Sequence, residues 1–174
     1  MDKFEVKRPR LELSYHRPEW ILEYTKLVKE IRSYIPNEIR LCFMHIGSTA
    51  VRGVTARPII DVCVGVINPL DLITVRDILS FKGFNYNESR STISDLFLEK
   101  RGMGKQRFNI HIVEFDGVKW KEMLEFTQFL KNNQLAAKEY GAFKTDLLFR
   151  KNLSYEEYEK AKKAYIKKML SENK

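Results

Sequence analysis

Met44-His-Ile-Gly-Ser-Thr-Ala-Val-Arg-Gly-Val-Thr-Ala-Arg-Pro-Ile-Ile-Asp-Val-Cys-Val-Gly-Val66 decides the fold. An apolar run from Arg40 to Ile46 breaks at Gly47-Ser48, and a second opens at Pro58 with Asp61 in its middle. A carboxylate among Ile and Val is costly to bury unless a charged or hydrogen-bonding group meets it. Gly-Ser at a strand end, where a helix starts, offers backbone N–H groups and a hydroxyl to an anion. Together they outline a phosphate-and-metal site. Strand alternation puts Asp61, Cys63 and Gly65 on one open face and sends Ile60, Val62, Val64 and Val66 into the core.

Outward from this centre, Leu11 to Ser14 reads as a short strand, and Tyr15-His-Arg-Pro18 as a turn opening a helix. Trp20, Ile21, Tyr24, Leu27, Val28 and Ile31 recur at helical spacing, and Pro36-Asn37 ends the element. Asn68-Pro69 supplies an N-cap and a first-turn proline for a helix that Gly83 closes. Strands are expected at Phe84–Asn87, Ser94–Arg101 and Arg107–Phe115, the last two joined by a hairpin carrying Gly102 and Gly104. Helices follow: one after Asp116-Gly117, one over residues 133–149, and one opened by the capping box Ser154-Tyr-Glu-Glu157. The expected architecture is α+β, a mixed β-sheet of about five strands with packed helices and a helical C-terminal part.

A chain of 174 residues with 44% hydrophobic and 31% charged residues fits one domain over residues 1–174. No apolar run approaches the roughly 20 residues of a membrane span, and Met1-Asp-Lys-Phe-Glu5 is no signal-peptide core, so a cytoplasmic protein is expected. Cys42 and Cys63 both lie in apolar runs and read as small buried hydrophobes rather than as a disulfide or zinc pair. The net charge of +8 invites an anionic partner. Its excess gathers in Lys100–Arg107 and the last helix, which leaves nucleotides, phosphorylated metabolites and nucleic acid all compatible.

Several motifs carry a closer likeness: Tyr15-His-Arg-Pro-Glu-Trp20, His45-Ile-Gly-Ser-Thr-Ala-Val51 with Gly53, and Arg57-Pro-Ile-Ile-Asp61. Asn109-Ile-His111, Glu139-Tyr-Gly-Ala-Phe-Lys144 and Tyr158-Glu-Lys-Ala-Lys162 extend it over residues 11 to 170. On these the chain resembles the GrpB family, a branch of the nucleotidyltransferase superfamily. The resemblance implies a nucleotidyltransferase-like sheet in which Gly-Ser precedes an acid-x-acid pair, with a third acid on a later strand. In this chain Cys63 stands at the second acid position and His111 at the third. A thiol is a poor ligand for Mg²⁺.

The candidate catalytic and metal residues are therefore Asp61 and His111, the latter as base, metal ligand or phosphate contact, or else a histidine bonded within its strand. Gly47, Ser48 and Thr49 are candidates for a ligand's phosphate, a role compatible with capping. Arg57, Lys105 and Arg107 are candidate phosphate cations, weighed against a solvated hairpin tip. Lys144 and Lys162 match family positions on the C-terminal helices and are candidates to hold an anionic substrate if directed into the cleft, weighed against plain surface pairings. His45 reads as a packing residue that fixes the loop. Strands 40–46, 58–66 and 107–115 should be neighbours, with Asp61 and His111 converging on one cleft. A divalent ion, Mg²⁺ or Mn²⁺, should bind weakly until a polyphosphate adds oxygen ligands. The expected function is binding of a nucleotide or other phosphorylated small molecule, with transfer of a nucleotidyl or phosphoryl group. The alternative is a non-catalytic anion binder that has lost the acid pair.

Overall fold

The computed structural model describes residues 13–104, 106–149 and 153–172, apart from the side chain of residue 155. Pro18 precedes the first helix, α1 (Glu19–Tyr34), which buries Trp20, Leu27 and Ile31 along one side. Proline fits there because a helix start has no use for its missing N–H. Next come β1 (Leu41–Ile46), β2 (Ile59–Val66), α2 (Leu72–Phe81), β3 (Asn85–Tyr86), β4 (Leu96–Arg101) and β5 (Arg107–Glu114). Three helices complete the chain: α3 (Val118–Asn132), α4 (Gln134–Phe149) and α5 (Tyr155–Glu172).

Some expected boundaries move for local reasons. The Asn68 side chain accepts from Leu70 N, but the turn after it, Pro69–Asp71, is 3₁₀ and α2 begins only at Leu72. β3 is two residues long, because Phe84 turns into the core and Asn87 caps a short 3₁₀ turn. A tight turn between Thr92 and Asp95 delays β4 to Leu96. Of the expected first strand, residues 11 and 12 lie outside the described residues, and Ser14 exchanges two 2.9 Å backbone bonds with Ala56.

Among the described residues one mixed sheet forms, in the order β1-β2-β5-β4-β3. β2 and β5 run parallel, and the other neighbours are antiparallel. The parallel register sets Asp61 beside Asn109 and Cys63 beside His111. One sheet face, built from Ile60, Val62, Val64, Ile110 and Ile112, packs against α1 and α2. This is the strand alternation legible in the sequence. No helix among the described residues is long and apolar enough to cross a membrane.

The other face is not the open surface that alternation alone implied. Cys63 is fully buried, and it packs with Ile46, Val113 and Trp120 of α3. A Cβ on Gly65 would lie 2.6 Å from the Trp120 ring, so the glycine's missing side chain is the space the indole fills. At the Asp61 end the helices α4 and α5 bring Lys144, Tyr158 and Lys162 to the face. Replacing Gly65 with Ala should cost about 1–3 kcal/mol, the range for overpacking a tight core. Urea denaturation followed by Trp120 fluorescence measures it, and an unchanged midpoint would contradict the packing described.

Candidate functional site

Pairing of Ile46 with Asp61 starts the β1–β2 loop directly beside the carboxylate. Gly47 takes φ 72°, a left-handed conformation that favours glycine, and a Cβ there would lie 2.7 Å from Asp61 Oδ2. Two constraints thus fall on one residue. The Gly47 N–H donates to Thr127 Oγ1 of α3 at 3.0 Å, so it is already engaged. The loop continues as a single 3₁₀ turn, Ser48–Ala50, not the start of an α-helix. That corrects the expectation of helix-terminal donors aimed at an anion: three residues cannot sum peptide dipoles as a long helix does. The buried Thr49 hydroxyl faces His45 Nε2 at 2.9 Å. Burial first, then Lys131 and His16, push His45 down to about 4, and it stacks on Tyr24 as a neutral ring.

Lys144 is the group that closes the site. Its side chain runs from α4 to the loop, where Nζ donates to Ser48 Oγ at 2.8 Å and to the Thr55 carbonyl. The residue is 2% exposed. Burial pushes its ammonium down to about 7, helped by Lys162 and Arg57 and opposed by Asp61. Tyr140 lies one helical turn earlier on the same face, and burial raises its phenol above the ordinary range. Nζ lies 4.5 Å from the Tyr140 ring centre.

The capping box at the start of α5 forms as the sequence predicts. Ser154 N donates to Glu157 Oε2 at 2.7 Å, and Glu157 N donates to Ser154 Oγ at 3.2 Å. The helix so fixed brings Tyr158, Glu159 and Lys162 to the site. Glu159 Oε1 lies 2.9 Å from Lys162 Nζ and 3.4 Å from Arg57 Nη2, holding both cations at the rim. A cavity of about 40 Å³ lies between Ser48, Thr49, Arg57, Asp61, Lys144, Tyr158 and Lys162. That is room for about three waters, or for a single tetrahedral group.

The remaining candidates sit elsewhere. His111 shares the Asp61 face but does not line this cavity. Its Nδ1 lies 3.0 Å from both Asp95 oxygens, and its ring meets Phe97 edge-on. The neighbour of Asp61 is instead Asn109, whose Nδ2 donates to Oδ1 at 2.7 Å. Arg107 is exposed beside the start of β2, outside the cavity lining. Lys105 lies outside the described residues. Asn109, Tyr140, Glu159 and Asp95 were not chosen from the sequence. The first three lie inside the motifs given above, and strand alternation puts Asn109 on the right face.

These donors fit one carboxylate contact to an ion, not a metal centre held by the chain. One Asp61 oxygen is bonded to Asn109, and the Cys63 thiol is pushed up to about 12 by burial and then by Asp95. His111 is turned to Asp95. Among the described residues no group of three or more His, Cys, Asp and Glu is arranged to hold a metal ion.

The depressed Lys144 carries a stability signature. Its ordinary value is 10.5 and its folded value about 7, so above pH 7 the unfolded chain binds more protons and stability rises with pH. Tyr140 acts in the opposite direction only above its ordinary value of 10. The stability of the wild type relative to Lys144→Met should therefore climb between about pH 7 and about pH 9.5. Chemical denaturation of both proteins across that range checks it, and a constant difference would mean that Lys144 titrates normally.

Comparison with known proteins gives one consistent answer. The family described as GrpB protein matches residues 10–172. The chain is 27% identical over 172 residues to the glutamate-rich protein GrpB of Alkalihalophilus pseudofirmus, covering 96% of this chain and 98% of that protein. It is 26% identical over 161 residues to a UPF0157 protein of Halalkalibacterium halodurans, covering 92% and 80%. The crystal structure of conserved protein GrpB from Enterococcus faecalis shares the fold, with a TM-score of 0.77 at 22% identity over 93% of this chain and 99% of that one. A sheet of this order, its Gly47–Asp61 contact and the match along nearly the whole chain lead to one conclusion: the chain belongs to the GrpB family.

Proposed function

We propose that the protein is a nucleotidyltransferase-like binder of a phosphorylated small molecule, with a phosphate of the ligand seated between Ser48, Arg57 and Lys162. The observation that carries this reading is the cavity itself. It is small and polar, bordered by two rim cations and the Ser48 hydroxyl, with Lys144 buried behind it. Guanidinium and ammonium groups supply charge-assisted bonds to phosphate oxygens, and Arg adds bidentate geometry. Glu159 already orients both cations, so little side-chain freedom is lost when an anion arrives.

Asp61 borders the same cavity, which favours a second reading, transfer of a nucleotidyl or phosphoryl group. Mg²⁺ or Mn²⁺ would then enter with the ligand's phosphates and meet Asp61, and would bind weakly without them. A cytoplasmic setting, where nucleotides are abundant, belongs to the same proposal, as does one domain over residues 1–174. Nucleic acid remains a partner only on grounds of net charge, since the cavity admits a single group and no extended backbone.

A thermal-shift panel of nucleotides and inorganic pyrophosphate, with and without Mg²⁺ or Mn²⁺, tests the reading. A ligand at 100 times its dissociation constant stabilises the fold by about 2.7 kcal/mol, a readily visible shift. Ser48→Glu places a like charge in the cavity and should weaken binding roughly tenfold or more, about 1.4 kcal/mol. Asp61→Asn should remove the metal-dependent part of nucleotide binding and leave the metal-free part. Calorimetric affinities unchanged in both variants would place the ligand elsewhere.

A further inference from the structure

We propose that Ser48 is a nucleophile that gives its hydroxyl proton to Lys144 and attacks the phosphorus of a phosphoric ester or anhydride in the cavity. For its substrate class this rests on the phosphate reading above. For its chemistry it rests on a separate arrangement, the 2.8 Å contact between Lys144 Nζ and Ser48 Oγ. Serine hydroxyls are weak nucleophiles and need an adjacent base within hydrogen-bond reach, with that base oriented by a third group. Serine–lysine pairs are a known solution. Here the Thr55 carbonyl fixes the amine, whose Nζ lies 4.5 Å from the centre of the Tyr140 ring.

What distinguishes Lys144 from a structural lysine is the company it keeps. Its two hydrogen bonds go to a hydroxyl and a carbonyl, and the nearby Glu159 is engaged by Lys162 and Arg57. Facing it are Ser48 and Arg57 from the loop, Asp61 from β2, Tyr140 from its own helix, and Tyr158, Glu159 and Lys162 from α5. Burial with the two neighbouring cations brings its proton off near neutral pH. The neutral amine then accepts from Ser48 and still donates to Thr55.

The step balances within these groups. As the Oγ–P bond forms, the bond from phosphorus to its leaving oxygen breaks and the electron pair departs with that oxygen. The Ser48 proton passes to Lys144 Nζ and on to the leaving oxygen. A phosphoester of Ser48 remains, which water or an acceptor hydroxyl resolves. Arg57 and Lys162 face the non-bridging oxygens, where charge gathers in the transition state.

An alkyl fluorophosphonate, a phosphorus electrophile with fluoride as leaving group, tests the pair on the full chain without knowledge of the substrate. Intact-mass and peptide mass spectrometry should find one adduct, on Ser48, with a labelling rate that climbs through about pH 7. Ser48→Ala and Lys144→Arg, confirmed folded by circular dichroism, should label about 100-fold more slowly or worse. Arginine keeps the charge and the donors but cannot accept the proton. Absence of a Ser48 adduct overturns the proposal, as does wild-type labelling in folded Lys144→Arg. Should that variant not fold, a pH-independent rate in the wild type overturns it. Calorimetry of pyrophosphate on Ser48→Ala reports the anion site by itself: pyrophosphate binding without any labelling sinks the nucleophile alone. Labelling of Ser48 without pyrophosphate binding supports the nucleophile and counts against the phosphate reading.

Discussion

The Lys144 amine is the tie on which the site depends. A single side chain crosses from α4 to the β1–β2 loop and fixes two points on it, the Ser48 hydroxyl and the Thr55 carbonyl. Burying a lysine is costly, and the cost appears as an ammonium that gives up its proton near pH 7. Around this tie the loop acquires its shape. The Gly47 N–H is held by Thr127, the Thr49 hydroxyl by His45, and the Ser48 hydroxyl is left facing a small cavity.

The sheet explains why that cavity lies at one end of β2 and nowhere else on the face. Trp120 fills the space above Gly65 and buries Cys63, which seals the middle and far end of the strand. Asp61 is two residues beyond the sealed part and so meets polar neighbours. Its partners are Asn109 across the parallel ladder and the close Cα of Gly47. An acid in an apolar strand is thereby accommodated by a hydrogen bond from a neutral amide. Cys63 cannot stand in for a second acid in this setting, because it is shut inside an apolar layer with its proton retained.

Charge is distributed more economically than the net value of +8 suggests. Two cations at the rim share one carboxylate, Glu159, and the third sits buried behind them. Of the hairpin's basic residues, Arg107 is exposed beside the start of β2, outside the cavity lining. Net charge bears on association with anions at long range, while the local pairing decides what fits.

The strands, the helical C-terminal part and the capping box were legible in the sequence, because alternation, 3.6-residue spacing and Ser-x-x-Glu are local signals. So were Gly47, Ser48, Asp61, Lys144 and Lys162, whose motifs stand intact in the chain. What the sequence could not show is which of these meet. Asn109 takes the place beside Asp61 because the parallel register of β2 and β5 is set by long-range pairing, and His111 falls two residues further on, against Asp95. The sealed face follows from a helix more than fifty residues away laying an indole on a glycine. Lys144, Tyr140 and Ser48 come together only because α4 packs on a loop some ninety residues earlier. Periodicity records which side of an element a residue occupies. The neighbour it finds there is decided by packing between elements far apart in the chain, and no local pattern encodes it.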